Sequence, residues 1–93
     1  MSMAEVQVRI PTILRPYTGG SKSVSAVGEN LGEVIASLES QYAGIGERLL
    51  EEGKLRRFVN VYLNDEDVRF IGSLEATVSQ GDSITILPAV AGG

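Results

Sequence analysis

The chain has 93 residues, 43% of them hydrophobic, which suffices for one modest core, is too little for two, and excludes a disordered ground state. Its formal net charge of −4, with eight basic residues scattered along the sequence, argues against a nucleic-acid face, which needs clustered cations. The absence of cysteine and histidine removes disulfides, thiolate metal sites, a cysteine nucleophile and the commonest general base. No apolar run reaches the ~18 residues of a membrane span. The opening Met1-Ser2-Met3-Ala4-Glu5 lacks the basic and apolar regions of a secretory signal, so the expectation is a cytoplasmic protein away from membranes.

Val6, Val8 and Ile10 alternate with Glu5, Gln7 and Arg9, which predicts a half-buried first strand. Pro11 and Pro16 mark it as edge-like or ending, because proline cannot donate to a ladder. Thr18-Gly19-Gly20-Ser21 reads as a turn, and residues 22–27 as a second strand with Val24 and Ala26 on one side. The two make a hairpin.

Asn30 is a candidate N-cap, with Glu33 as its capping-box partner. Leu31, Val34, Ile35, Leu38 and Tyr42 then form one apolar stripe of a helix that Gly44 should end. Residues 45–52 suggest a shorter helical piece, with Ile45 and Leu49 one turn apart. Residues 55–63 form the strongest strand pattern: Val59, Val61 and Leu63 face one way, Phe58, Asn60 and Tyr62 the other. The pair Arg56-Arg57 is then the exposed flank of that strand. Asn64-Asp65 is a turn, residues 68–71 a short strand, and residues 74–78 a helical turn. The run from Asn64 to Asp67 reads as a solvated turn, without the ligand set that a metal site needs. After a Gly81-Asp82 turn, Ile84 and Ile86 alternate with Thr85 and Leu87 in a last strand that Pro88 ends.

This order predicts an α+β domain spanning residues 1–93: a mixed sheet with one main helix packed across one face. The first and last strands should lie side by side and parallel at its centre, the β-grasp (ubiquitin-like) arrangement. Helix and sheet would share Val59, Val61, Ile84 and Ile86. The opposite face would carry Phe58, Tyr62 and Leu87, an apolar patch suited to docking a partner unless the turn after residue 73 or the insert after Gly44 covers it.

The ending is Pro88-Ala89-Val90-Ala91-Gly92-Gly93. With eleven glycines in the chain, a chance Gly-Gly end has a probability of roughly 1 to 2 per cent. One reading is a frayed terminus. The other is a flexible tail, residues 88–93, whose carboxylate on Gly93 enters a narrow active site that any side chain would block.

The strand segment from Phe58 to Phe70, the Gly81-Asp82 turn and the ending from Leu87 to Gly93 together resemble the ubiquitin-like sulfur carriers of the MoaD/ThiS family. The likeness covers nearly the whole chain from Val6. The Arg56-Arg57 pair, residues 45–54 and the opening Ile10-Pro11-Thr12-Ile13-Leu14-Arg15 draw it towards the actinobacterial carriers of cysteine biosynthesis.

That resemblance implies a protein co-substrate with no catalytic residue, metal or cofactor of its own. An adenylating sulfurtransferase would use ATP on the Gly93 carboxylate, and a sulfur donor would convert the acyl-adenylate to a thiocarboxylate. The sulfur would pass to an acceptor synthase, such as a pyridoxal-phosphate-dependent cysteine synthase, with a metallopeptidase releasing the product. Gly92, Ala91, Val90, Ala89 and Pro88 form the delivering tail, and the free carrier is a monomer. Molybdopterin, a thiosugar or a thio-siderophore are alternative destinations. A modifier conjugated to lysines and a passive interaction module are the competing classes.

Overall fold

The computed structural model describes residues 3–57 and 59–88. Strand β1 (Ala4–Arg9) pairs antiparallel with β2 (Ser23–Gly28). The register sets Val6 opposite Ala26 and Val8 opposite Val24, so the apolar sets of both strands share one face, and all four are buried. The pleat converts the alternation of the sequence directly into that face.

The hairpin is not closed by a glycine turn alone. Residues Thr12–Thr18 form a 3-10 helix, entered from Pro11 and closed by Gly19 at φ +66. Pro11 and Pro16 have fixed φ and no N–H, which suits a helical turn and forbids a ladder. Leu14 and Thr18 point inward. The buried Thr18 hydroxyl lies 2.9 Å from the carbonyl of Ser21 and 3.2 Å from that of Arg15. Nor is β1 an edge strand: β2 lies on one side of it and the last strand, Ser83–Pro88, on the other. The prolines end β1 without exposing it.

Helix α1 (Leu31–Gln41) buries Leu31, Val34, Ile35 and Leu38. Asn30 caps it as expected, its Oδ1 accepting the Glu33 N–H at 2.8 Å. The return bond is displaced by one residue: Glu33 Oε1 accepts the N–H of Glu29, also at 2.8 Å. Tyr42 is the half-buried C-cap. Gly44 does not end α1, which stops at Gln41; at φ +100 it is the N-cap of α2 (Ile45–Leu49). The Glu39 carboxylate closes this junction, accepting from the N–H of Gly44 at 3.0 Å and of Gly46 at 2.7 Å. Those bonds favour the charged form and hold its pKa below the ordinary 4.5, with the Gly44 bond the larger cause.

The second helical piece is shorter than residues 45–52. It ends at Leu49, and β3 (Leu50–Glu51) and β4 (Lys54–Leu55) form a separate small hairpin. The hairpin turns at Glu52 and Gly53, both at positive φ. For the same reason the strand expected over residues 55–63 begins only at Val59, as β5 (Val59–Leu63). Arg56 explains the break. Its N–H donates to the carbonyl of Leu49 at 2.9 Å and its Nε to that of Glu47 at 2.8 Å. It is therefore tied back to α2 and is not the exposed flank of a strand.

Beyond the Asn64-Asp65 turn lies β6 (Glu66–Asp67), and residues 68–71 are not a strand. Val68–Phe70 is a 3-10 turn whose three-residue period buries Val68, half-buries Ile71 and leaves Phe70 86% exposed. Asp67 Oδ1 caps it by accepting the Arg69 N–H at 2.9 Å. The helical turn expected over residues 74–78 is shorter and one residue earlier, Ser73–Glu75, and is followed by buried Ala76 and Val78.

Strand β7 (Ser83–Pro88) lies parallel to β1 and antiparallel to β5, and the sheet order is β2-β1-β7-β5-β6. Ile84 and Ile86 of β7, Val8 of β1 and Val61 of β5 converge with Leu31, Val34, Ile35, Leu38 and Leu49 in one interior. This is the mixed sheet with a helix across one face, the β-grasp fold. Ile84→Ala should lower stability by about 2–5 kcal/mol in urea unfolding, since a buried methyl-rich side chain leaves a cavity. Glu39→Gln should remove a pH dependence. Because the folded pKa is depressed, the stabilisation is full above the unfolded value and lost as pH falls through the folded one. Wild type should therefore lose more of its urea midpoint than the variant between neutral pH and about pH 3.

Candidate functional site

The site is built on β7, because that strand leads to the chain's last residues. Its ladder with β1 runs from Gln7↔Ser83 to Arg9↔Thr85, whereas its ladder with β5 continues to Val59↔Pro88. Past Thr85, β1 has ended and Pro11 turns the chain away into the 3-10 helix. Residues 86–88 are thus paired by β5 on one side only.

Two hollows flank this stretch, and both are bounded by Pro11 and Ile86. One is a groove of about 520 Å³ on the apolar side, walled by Ile13, Leu14, Tyr17 and Val59. Arg48 also lines it; its Nε donates to the Tyr17 hydroxyl at 2.6 Å, and its guanidinium carbon lies 5.7 Å from the ring centroid. The Tyr17 contact raises the Arg48 pKa further, so the group stays cationic. The other hollow, about 270 Å³, lies beside Leu87.

Of the residues expected to dock a partner, Leu87 is 46% exposed and Tyr62 half-buried. Leu87 lies across from Asn60 and Tyr62 across from Thr85, so the two are diagonal neighbours on the sheet face away from α1. The Ser73–Glu75 turn does not cover them. Its Leu74 meets α1 at Gly32, where an added Cβ would come within 3.3 Å of the Leu74 carbonyl oxygen. The insert after Gly44 likewise packs on the helix side, where Ile45 and Leu49 join the core. Phe58 lies outside the described residues, as do Ala89, Val90, Ala91, Gly92 and Gly93.

Arg69 carries a role that the sequence reading missed. Its guanidinium donates to the carbonyls of Arg56 at 2.9 Å and Val59 at 2.7 Å, and to Asn60 Oδ1 at 3.2 Å. It therefore fixes the start of β5 on both sides of residue 58, opposite the end of β7. The local signal was Asp67 two residues before Arg69, the spacing of an Asx turn that aims the arginine back over the strand. Among the described residues, no group of three or more Asp, Glu, His or Cys side chains is placed to hold a metal ion. Likewise no described helix is long and apolar enough to cross a membrane.

A mixed sheet with its first and last strands parallel at the centre and one main helix across one face defines a ubiquitin-like β-grasp protein. The chain belongs to the ThiS family, whose model matches residues 8–93. It is 65% identical over 91 residues to sulfur carrier protein CysO of Mycobacterium tuberculosis, covering 95% of this chain and 98% of that one. The crystal structure of the Amycolatopsis orientalis BexX/CysO complex contains a chain that superposes with a TM-score of 0.91 at 64% identity, covering 95% of this chain and 99% of that one. Small archaeal modifier protein 3 of Haloferax volcanii is 31% identical over 91 residues, covering 96% and 99% of the two chains.

Arg69→Ala should lower stability by about 1 kcal/mol, because the bonds are charge-assisted but the side chain is exposed. Hydrogen exchange should show the loss concentrated in the amides of β5 that face β7, not in α1.

Proposed function

We propose that this chain is a sulfur carrier, a protein co-substrate on which other enzymes act. The observation that carries the reading is that the ThiS family model matches through Gly93, the residue to which the central strand leads, in a chain 65% identical to CysO over 91 residues. A free carboxylate is a poor electrophile, being anionic and resonance-stabilised. Adenylation by a partner enzyme joins the Gly93 carboxylate to the α-phosphate of ATP and releases pyrophosphate. Sulfide then attacks the acyl carbon as HS⁻, AMP leaves, and the proton is lost to water. The product thiocarboxylate reverses the reactivity: its anionic sulfur is the nucleophile, held on a protein instead of diffusing as sulfide.

The residues of the tail suit delivery. Six residues from Pro88 to Gly93 reach at most about 20 Å when extended. Gly92 and Gly93 present no Cβ to a tight channel, Ala89 and Ala91 keep the tail narrow around Val90, and Pro88 restricts the backbone where it leaves the sheet. Tyr62 and Leu87, with Phe58, serve as the docking face. The favoured acceptor is an aminoacrylate on a pyridoxal-phosphate-dependent cysteine synthase, with a metallopeptidase releasing the cysteine adduct. Molybdopterin or a thiosugar are the alternatives, because the acceptor enzyme and not the fold selects the destination. ATP is used by the activating enzyme, and the cycle belongs to the cytoplasm.

The likeness to an archaeal modifier protein favours a second reading, isopeptide conjugation to lysines. Both readings share adenylation and differ in the fate of Gly93. Intact mass spectrometry after incubation with ATP, sulfide and the adenylating enzyme should show one oxygen replaced by sulfur at the C-terminus, and removing Gly93 should abolish this without changing the unfolding midpoint. A truncated chain that is still charged, or a lysine adduct in place of the thiocarboxylate, would sink the carrier reading.

A further inference from the structure

The basic residues are scattered in sequence but not in the fold. Arg9 at the end of β1, Arg15 in the 3-10 helix and Lys22 before β2 all line the hollow beside Leu87. Arg9 lies opposite Thr85 in the ladder, on the same face as Leu87. Arg15 is anchored through its Nε, which donates to the carbonyl of Ile10 at 3.2 Å. On the other side of Leu87, its partner Asn60 accepts a hydrogen bond from Arg69. Four of the chain's eight cations thus border one exposed leucine.

None of the twelve acidic residues lines that hollow. Among the described residues, the only ion pair within 4.0 Å is Arg56 with Glu51, at 3.8 Å. Glu39, Glu47 and Glu52 line a separate hollow between α1, α2 and the small hairpin, and the Asp67 carboxylate, across from Tyr62, accepts the Arg69 N–H. A chain of net charge −4 therefore carries a positive collar around the base of its tail.

We propose that this collar docks on a protein surface in which an apolar socket for Leu87 is rimmed by Asp and Glu side chains, and that this surface belongs to the adenylating enzyme. The inference rests on the sulfur-carrier reading and names the chemistry of its partner. Like charges held together around an apolar side chain repel one another, and a carboxylate rim relieves that repulsion while Leu87 leaves water. Rim charges of this kind act chiefly on the rate of encounter, so they orient an acidic protein that would otherwise approach an acidic socket unfavourably. Because Leu87 directly precedes Pro88, seating it also fixes the point from which the tail is fed.

The experiment is ATP–pyrophosphate exchange by the adenylating enzyme of the same organism, with wild type, Arg9→Glu/Lys22→Glu and Leu87→Asp. The double variant should raise KM for the carrier about tenfold or more at low salt with kcat unchanged, and the difference should shrink as salt is added. Leu87→Asp should raise KM as well, through loss of the apolar anchor at any salt and through a carboxylate set against the acidic rim, a part that added salt relieves. Both charge reversals are at exposed positions, and equal urea midpoints would confirm the fold. Unchanged KM in the double variant overturns the proposal alone, whereas a wild-type chain that supports no exchange overturns the carrier reading and the proposal together. A fall in KM would show that the collar holds the chain's own tail, and also overturns it. Tight binding of a single-stranded RNA probe by wild type, lost in the double variant, would assign the collar to nucleic acid instead.

Discussion

The packing of Ile84 and Ile86 against the apolar stripe of α1 is the contact on which the rest of the molecule depends. These two side chains place β7 between β1 and β5, and the strand can sit there only because both neighbours present their own apolar residues, Val8 and Val61, to the same helix. A buried central strand is fixed in register, since a slip of one residue would turn Ile84 and Ile86 towards water and Thr85 and Leu87 into the core. That fixity determines where the chain emerges and which of its side chains remain on the open face.

Body and tail accordingly divide the work. The body supplies rigidity, through the two ladders of β7 and the Arg69 bonds that fasten the opening of β5. The end of β1 at Arg9, with the chain turned away at Pro11, then releases one side of residues 86–88 beside two hollows. Rigid support up to Thr85 and a half-free edge beyond it suit a co-substrate that must present a reacting end without rearranging its core. The chemistry of adenylation and sulfur transfer lies in the partners, which is why a domain with so few special side chains suffices.

The parts of the fold that were legible in the sequence are those in which burial leaves a local period. The alternations around Val8, Val24 and Ile84, and the stripe from Leu31 to Leu38, each report one buried face. The 3-10 segments Thr12–Thr18 and Val68–Phe70 were missed because a three-residue period over so short a run imitates other patterns: Val68, Phe70 and Ile71 look like a strand until the exposure of Phe70 is seen. Arg56 broke the expected long strand through bonds to carbonyls of α2, which no periodicity encodes. Leu87 and Tyr62 could be placed on the open face by parity alone. Arg69 and the meeting of Arg9, Arg15 and Lys22 depend on strand order, which brings together residues far apart in the chain.

The placement of β7 also has a mechanical consequence. Traction on the C-terminus runs along the strand axis, at right angles to the hydrogen bonds that join it to β1 and β5. Those bonds are then loaded together, in shear, and do not open one after another like a zip. A machine that grips this end must rupture two seams at once, whereas an enzyme that merely draws the terminus into a cleft works against none of them.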